Sequence, residues 1–167
     1  MNYPEKYTCE KMTNHKVQLV TLTLENADFL YSIYTNTALT MNFDDPFLKN
    51  ETPLAFTKRI ISTCECIFTI RPSEKPNLMI GDCALHHWNR HNKEIFIGGS
   101  LFPMYWGQGY MQAAFELLIK IAKQHFDVAT ISGQTKIANT KAIRLAEKMG
   151  FVRYGVDGQE IILKKEI

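Results

Sequence analysis

With 167 residues, the chain is long enough for one domain with a real core. Its 46% hydrophobic and 22% charged residues are those of an ordinary globular protein, and a formal net charge of +2 is too small to drive binding to nucleic acid or an anionic membrane. No apolar run approaches the ~20 residues that span a bilayer. Met1 to Lys11 are polar and mixed in charge, unlike a secretory signal, so a cytoplasmic, reducing setting is expected. The four cysteines, Cys9, Cys64, Cys66 and Cys83, make no recognisable zinc spacing with His86 and His87, and no metal is expected.

Residues 1–15 read as a ragged lead-in. Residues 17–24 alternate with β-branched side chains and predict a first strand. Asn26 is placed to cap a helix carrying Phe29, Leu30, Ile33 and Tyr34 on one face. Residues 36–50 form a loop in which Phe43 and Phe47 either close the core or line a substrate mouth. Thr52-Pro53 starts a second helix, a cap followed by proline at the first helical position. Three strands follow at 64–71, 78–87 and 94–101, joined by short turns as an antiparallel meander. Cys64 and Cys66 should share one face, and Gly81 marks a bulge or a close approach. His86 and His87, being adjacent, should point to opposite faces.

The stretch 101–112 organises the rest. Pro103 ends the strand, Gly107 and Gly109 form a loop, and an amphipathic helix follows with Ala114, Leu117, Leu118, Ile121, Ala122 and Phe126 on one face. Strand, glycine loop and helix N-terminus are the ingredients of a phosphate site: close approach is open, and the first helical N–H groups lack intrahelical partners. The same glycines also suit a tight turn with no ligand. A Walker loop would need Lys-Ser or Lys-Thr where Tyr110 and Met111 stand, and a Rossmann fingerprint would need glycine where Gln112 stands. A dinucleotide binder therefore stays only as an alternative. A parallel crossover leads to a strand at 128–137, Asn139 or Thr140 caps a short helix ending before Gly150, and a final strand pair closes the chain.

These residues resemble the GCN5-related N-acetyltransferases, and within them the ribosomal-protein N-terminal (Rim-type) branch. The branch pattern Leu-x-Pro-x-Tyr/Trp-Trp-Gly-x-Gly-Tyr stands here as Leu101, Pro103, Tyr105, Trp106, Gly107, Gly109 and Tyr110. A second pattern stands as Asn139 and Ala142 followed by Glu147, Lys148, Gly150 and Phe151. The resemblance implies a single α/β (α+β) acetyltransferase domain over 1–167. Its mixed, mostly antiparallel sheet would have about seven strands and four flanking helices, with strands four and five splayed apart. It implies acetyl-CoA as cosubstrate, with the pantetheine arm on the backbone of Gly99, Ser100 and Leu101. The diphosphate would sit on the N–H groups of Gly107, Gln108, Gly109, Tyr110, Met111 and Gln112, and Asn139 would reach the cofactor.

The implied reaction is direct attack of an amine on the thioester, the Leu101 N–H stabilising the oxyanion. Glu94 is the first candidate base, with His86 and His87 as alternatives. Ala146 occupies the position of a general-acid tyrosine, and Ala142 replaces a serine used in this branch. That leaves a non-catalytic acyl-CoA sensor as the second reading. The acceptor is expected to be a protein N-terminus or a small-molecule amine, and the protein a monomer or homodimer. Asp44 and Asp45 are candidates for attracting a cationic acceptor.

Overall fold

The computed structural model describes residues 7–9, 11–42 and 44–167. Its strands are β1 (Lys11–Thr13), β2 (Val17–Thr21), β3 (Cys64–Pro72), β4 (Gly81–Asn89), β5 (Glu94–Leu101), β6 (Thr130–Lys136), β7 (Val152–Asp157) and β8 (Glu160–Glu166). Its helices are α1 (Ala27–Tyr34), α2 (Thr37–Thr40), α3 (Pro53–Thr63), α4 (Tyr110–His125) and α5 (Thr140–Lys148). The strands make one sheet in the order β1-β2-β3-β4-β5-β6-β8-β7. Every pairing is antiparallel except β5 with β6.

The predicted mixed sheet is present, with eight strands and five helices among the described residues where seven and four were expected. The additions are short. In the predicted lead-in, Lys11–Thr13 pairs with β2, Met12 facing Leu19 across the ladder. In the predicted 36–50 loop, Asn36 accepts a hydrogen bond from the Ala38 N–H and starts the single turn of α2. Asn26 does not cap α1 with its side chain. Thr23 and Asn26 instead form a capping box around a 3₁₀ turn at Leu24–Asn26.

The sheet buries both faces. On one, α4 packs Ala114, Leu117, Leu118 and Ile121 against Leu19, Phe68, Ile70, Leu85 and Ile97. On the other, Leu30 and Phe56 meet Leu22, Ile67 and Ala84, and Phe47 joins them. Phe47 therefore closes this smaller core, while Phe43 lies outside the described residues. Arg59 fastens the loop ahead of α3: its Nε and Nη2 donate to Glu51 at 2.8 and 2.7 Å, and Nη2 also donates to the Pro46 carbonyl.

Two bulges overturn simple alternation. The β3–β4 register shifts between Cys64 and Cys66, which places Cys66 in the α4-side core and Cys64 against the other. None of the four cysteines is in a disulfide. The β4–β5 register shifts after His86, and His87 takes a positive φ of 52°.

Gly81 is a site of close approach. A Cβ there would lie 2.2 Å from the Ser100 carbonyl oxygen and 2.7 Å from a Leu101 methyl. Gly81→Ala must therefore push β4 and β5 apart. The expected cost is about 3 kcal/mol, a fall in Tm of about 6–12 °C by thermal melting. An unchanged Tm would show that the strands yield without loss.

Candidate active site

The sheet opens in its middle. β5 and β6 pair only at Glu94–Thr130, Ile95–Ile131 and Phe96–Ser132. Beyond that, β5 stays with β4 as far as Leu101, while β6 continues along β8 as far as Lys136. Two partners pull the strands apart, and the edge of β5 from Ile97 onward faces the gap. The direction of its peptide groups follows from the register. The Phe102 N–H donates to the Ile80 carbonyl, so alternation turns the N–H and C=O of Gly99 and Leu101 away from β4. The same alternation turns Ser100 toward β4. Of the three residues expected to hold a pantetheine arm, two thus present backbone groups to the opening. The Leu101 carbonyl also accepts the Trp106 indole N–H at 2.9 Å, tying the following loop to the strand end.

That loop has the geometry of an anion cradle. Gly107 and Gly109 have φ of 72° and 83°, a region open to glycine but costly for other residues. Gly109 is the N-cap of α4, whose N-terminus has no side-chain cap, and the first intrahelical bond is Ala113 N–H to Gly109 carbonyl. The N–H groups of Tyr110, Met111 and Gln112 thus have no helical partner. Gln108 is turned back by its side chain, which donates to the Met104 carbonyl.

Two lysines flank this cradle. A Cβ on Gly109 would lie 3.7 Å from Lys16 Cε and 3.9 Å from its Nζ, and Lys16 Nζ sits 5.0 Å from the centroid of the Tyr110 ring. Lys141 Nζ lies 4.6 Å from the Trp106 ring centroid. Asn14 holds the Lys16 turn in place: its Oδ1 accepts from the Lys16 and Val17 N–H groups, and its Nδ2 donates to the Ala113 carbonyl in α4. Neither lysine stands out in the sequence. They are 125 positions apart, and only the tertiary fold brings them to one loop.

The other expected site residues have structural engagements. Glu94 lies at the paired end of β5, where its Oε1 accepts from Ser132 Oγ at 2.5 Å and stands 3.2 Å from Lys164 Nζ. Asn139 caps α5: its Oδ1 accepts from the Ala142 N–H and its Nδ2 donates to Thr135 Oγ1 at 3.0 Å. Asp44 faces Lys136 Nζ at 3.4 Å, and Asp45 accepts from the Phe47 N–H.

On the α1/α3 face, beside the opening, lies a cleft of about 160 Å³. Its walls are Tyr34 of α1, Ile60 and Thr63 of α3, and Cys64 and Ile67 of β3, and Gly98 and Gly99 of β5 also line it. β4 contributes Asp82, Ala84, His86 and His87. Both histidines reach it, against the expectation of opposite faces, because the bulge and the positive φ of His87 break the alternation. Their Nδ1 atoms are 2.5 Å apart, so one ring donates to the other. Burial, and after it the charge of His87, push the His86 imidazole down to about 4. Asp82 is 2% exposed, and its Oδ1 has no hydrogen-bond partner among the described residues. Burial pushes its carboxyl up from 3.8 to about 7, against the pull of the backbone N–H groups of Asp82 and Ser100. The Asp82 charge is the first reason that the Tyr34 phenol holds its proton well above the ordinary range. Asp82 was legible in principle, as one carboxylate in the middle of a predicted apolar strand.

An acetyltransferase (GNAT) domain family model matches residues 16–152. The chain belongs to the GNAT acetyltransferase family. Solved structures with this fold include a GNAT-family acetyltransferase from Bacillus anthracis, 14% identical, with a TM-score of 0.77 over 93% of this chain and 98% of that one. RimL, a ribosomal L7/L12 α-N-protein acetyltransferase in complex with coenzyme A, is 17% identical, with a TM-score of 0.77 over 92% of this chain and 96% of that one. A spermidine N-acetyltransferase from Vibrio cholerae, in complex with CoA and spermine, is 17% identical, with a TM-score of 0.74 over 92% and 96%. No curated protein matches the chain. Among the described residues, no group of histidine, cysteine and acidic side chains is placed to hold a metal ion, and no helix is long and apolar enough to cross a membrane.

Proposed function

We propose that this GNAT protein is an acetyl-CoA-dependent N-acetyltransferase whose acceptor is a primary amine, attacking the thioester directly in a ternary complex. The observation that carries the reading is the unpaired β5 edge running straight into a glycine loop between Lys16 and Lys141. An extended pantetheine arm adds to such an edge as a strand would, through Gly99 and Leu101. A diphosphate lies on the N–H groups of Gly109 to Gln112, where the helix dipole and the two ammonium groups favour negative charge. The Leu101 N–H then points at the thioester oxygen that becomes negative when the amine adds. The complexes of RimL and of the spermidine enzyme hold coenzyme A on the same fold. Cysteines outside any disulfide suit a cytoplasmic setting.

A ligand bound only to the folded state must raise Tm. Titration with acetyl-CoA, CoA, NAD and ATP in parallel is expected to give selective stabilisation by the two CoA compounds. A shift with NAD alone would overturn the reading. Lys16→Ala is expected to weaken CoA binding about tenfold, with a smaller salt dependence, because one charge-assisted contact is worth about 1.5 kcal/mol. A CoA affinity unchanged by that substitution would remove Lys16 from the site. The sensor reading has one observation in its favour, the use of both Asn139 side-chain polar groups within the protein. CoA binding without thiol release on any amine would select it.

A further inference from the structure

We infer that Asp82 is the group that receives the acceptor ammonium and takes its proton, and that the acceptor presents a primary amine on a short hydrocarbon arm. This inference rests on the acetyltransferase reading above. It starts from an oddity of the fold. A carboxylate stands near the start of β4, buried from solvent, with an oxygen that no described residue satisfies. A buried polar atom without a partner costs stability, so it is retained where a ligand completes it. Asp82 lines the cleft together with the apolar Ile60, Ile67 and Ala84 and the polar Tyr34, Thr63, His86 and His87. A buried carboxylate beside apolar side chains is complementary to an ammonium on a hydrocarbon arm.

Position fits the reaction. Asp82 pairs with Ser100 across β4 and β5, and Gly98 and Gly99 line the same cleft. The cleft therefore abuts the strand whose far edge offers Gly99 and Leu101 to the thioester arm. Volume bounds the acceptor: about 160 Å³ is close to the cavity size that takes a benzene molecule, so a hydrocarbon arm of a few carbons fits. Glu94, the expected base, is held by Ser132 and Lys164 at the closed end of the strand pair.

The step balances as follows. The ammonium gives one proton to the Asp82 carboxylate. The free amine forms the C–N bond to the acetyl carbonyl carbon, and the C–S bond breaks. The second nitrogen proton neutralises the departing CoA thiolate, and Asp82 later returns its proton to solvent. The titratable or charged groups around Asp82 are Tyr34 on α1, Cys64 and Arg71 on β3, and Cys83, His86 and His87 on its own strand. Arg71 reaches the neighbourhood through its Nε bond to Thr69, the cross-strand partner of Asp82.

The test compares wild type with Asp82→Asn, reading CoA affinity and CoA thiol release separately, with n-butylamine as acceptor. Wild type is expected to acetylate n-butylamine, with kcat/KM falling tenfold per pH unit below about 7. Asp82→Asn is expected to bind CoA as wild type does, to lose about 100-fold or more in kcat/KM, and to lose that acid limb. A variant that keeps the rate and the limb overturns the inference and leaves the acetyltransferase reading standing. CoA binding by wild type with no transfer to n-butylamine overturns the inference, and absence of CoA binding overturns the acetyltransferase reading as well. Should Asp82→Asn fail to fold, carbon-13 NMR of carboxyl-labelled wild type decides. With CoA present, n-butylammonium is expected to lower the Asp82 midpoint, and an unmoved midpoint overturns the inference.

Discussion

Gly109→Val is expected to weaken coenzyme A binding by about 100-fold, or about 2.7 kcal/mol, while the protein still folds. Two effects combine. Gly109 has a φ of 83°, which a β-branched residue adopts only with strain of about 1–2 kcal/mol. Its branches would also stand over the N–H groups at the start of α4 and press on Lys16, which already lies 3.7 Å from the position of a Cβ. Gly109→Ala separates the two, since its single methyl meets Lys16 at ordinary contact distance and carries mainly the backbone strain. About tenfold weaker binding is expected there. Isothermal calorimetry with CoA on both variants checks this. Wild-type affinity in Gly109→Val would mean that the loop does not hold the diphosphate.

The second large effect is on stability as a function of pH, and it sets Asp82 against His86. The folded pKa of Asp82 is raised, from 3.8 to about 7. Between those values the folded chain keeps a proton that the unfolded chain has lost. Its contribution is full below 3.8 and is lost as pH rises toward 7, by up to about 4 kcal/mol. The folded pKa of His86 is depressed, from 6.5 to about 4. Its contribution is present above 6.5 and is lost as pH falls toward 4, by up to about 3 kcal/mol. The two slopes oppose each other over nearly the same range, so wild type should vary little there. Asp82→Asn leaves the histidine alone, and stability should then rise from pH 4 to 6.5. His86→Asn leaves the aspartate, and stability should fall as pH rises to 7. Urea unfolding at a series of pH values measures both. Parallel curves for all three proteins would show that neither group titrates in this way. At pH 8, Asp82→Asn should be more stable than wild type, the signature of a residue kept for its chemistry.

Local chemistry made much of the fold legible. Proline at 103 and 53, glycine at 107, 109 and 150, and the spacing of Ala114, Leu117, Leu118 and Ile121 act within a few residues of themselves. A linear reading captures such effects. Alternation failed at Cys64–Cys66 and at His86–His87, because a bulge inserts a residue in response to the partner strand rather than to local preference. β1 was missed because three residues carry too short a pattern, and its pairing with β2 is what makes it a strand.

The sequence by itself determined the family, the glycine loop and the helix that begins at it, since each is written in contiguous residues whose backbone geometry is nearly forced. Only the tertiary structure decided which side chains share the site. Lys16 and Lys141 reach one loop from opposite ends of the chain. Ser100 is turned from the opening by the strand register. Asp82 meets Tyr34 and His86 in one cleft, and Glu94 is taken up by Ser132 and Lys164. Electrostatics and hydrogen bonding act through space over a few ångströms, and distance along the chain says little about distance across a sheet.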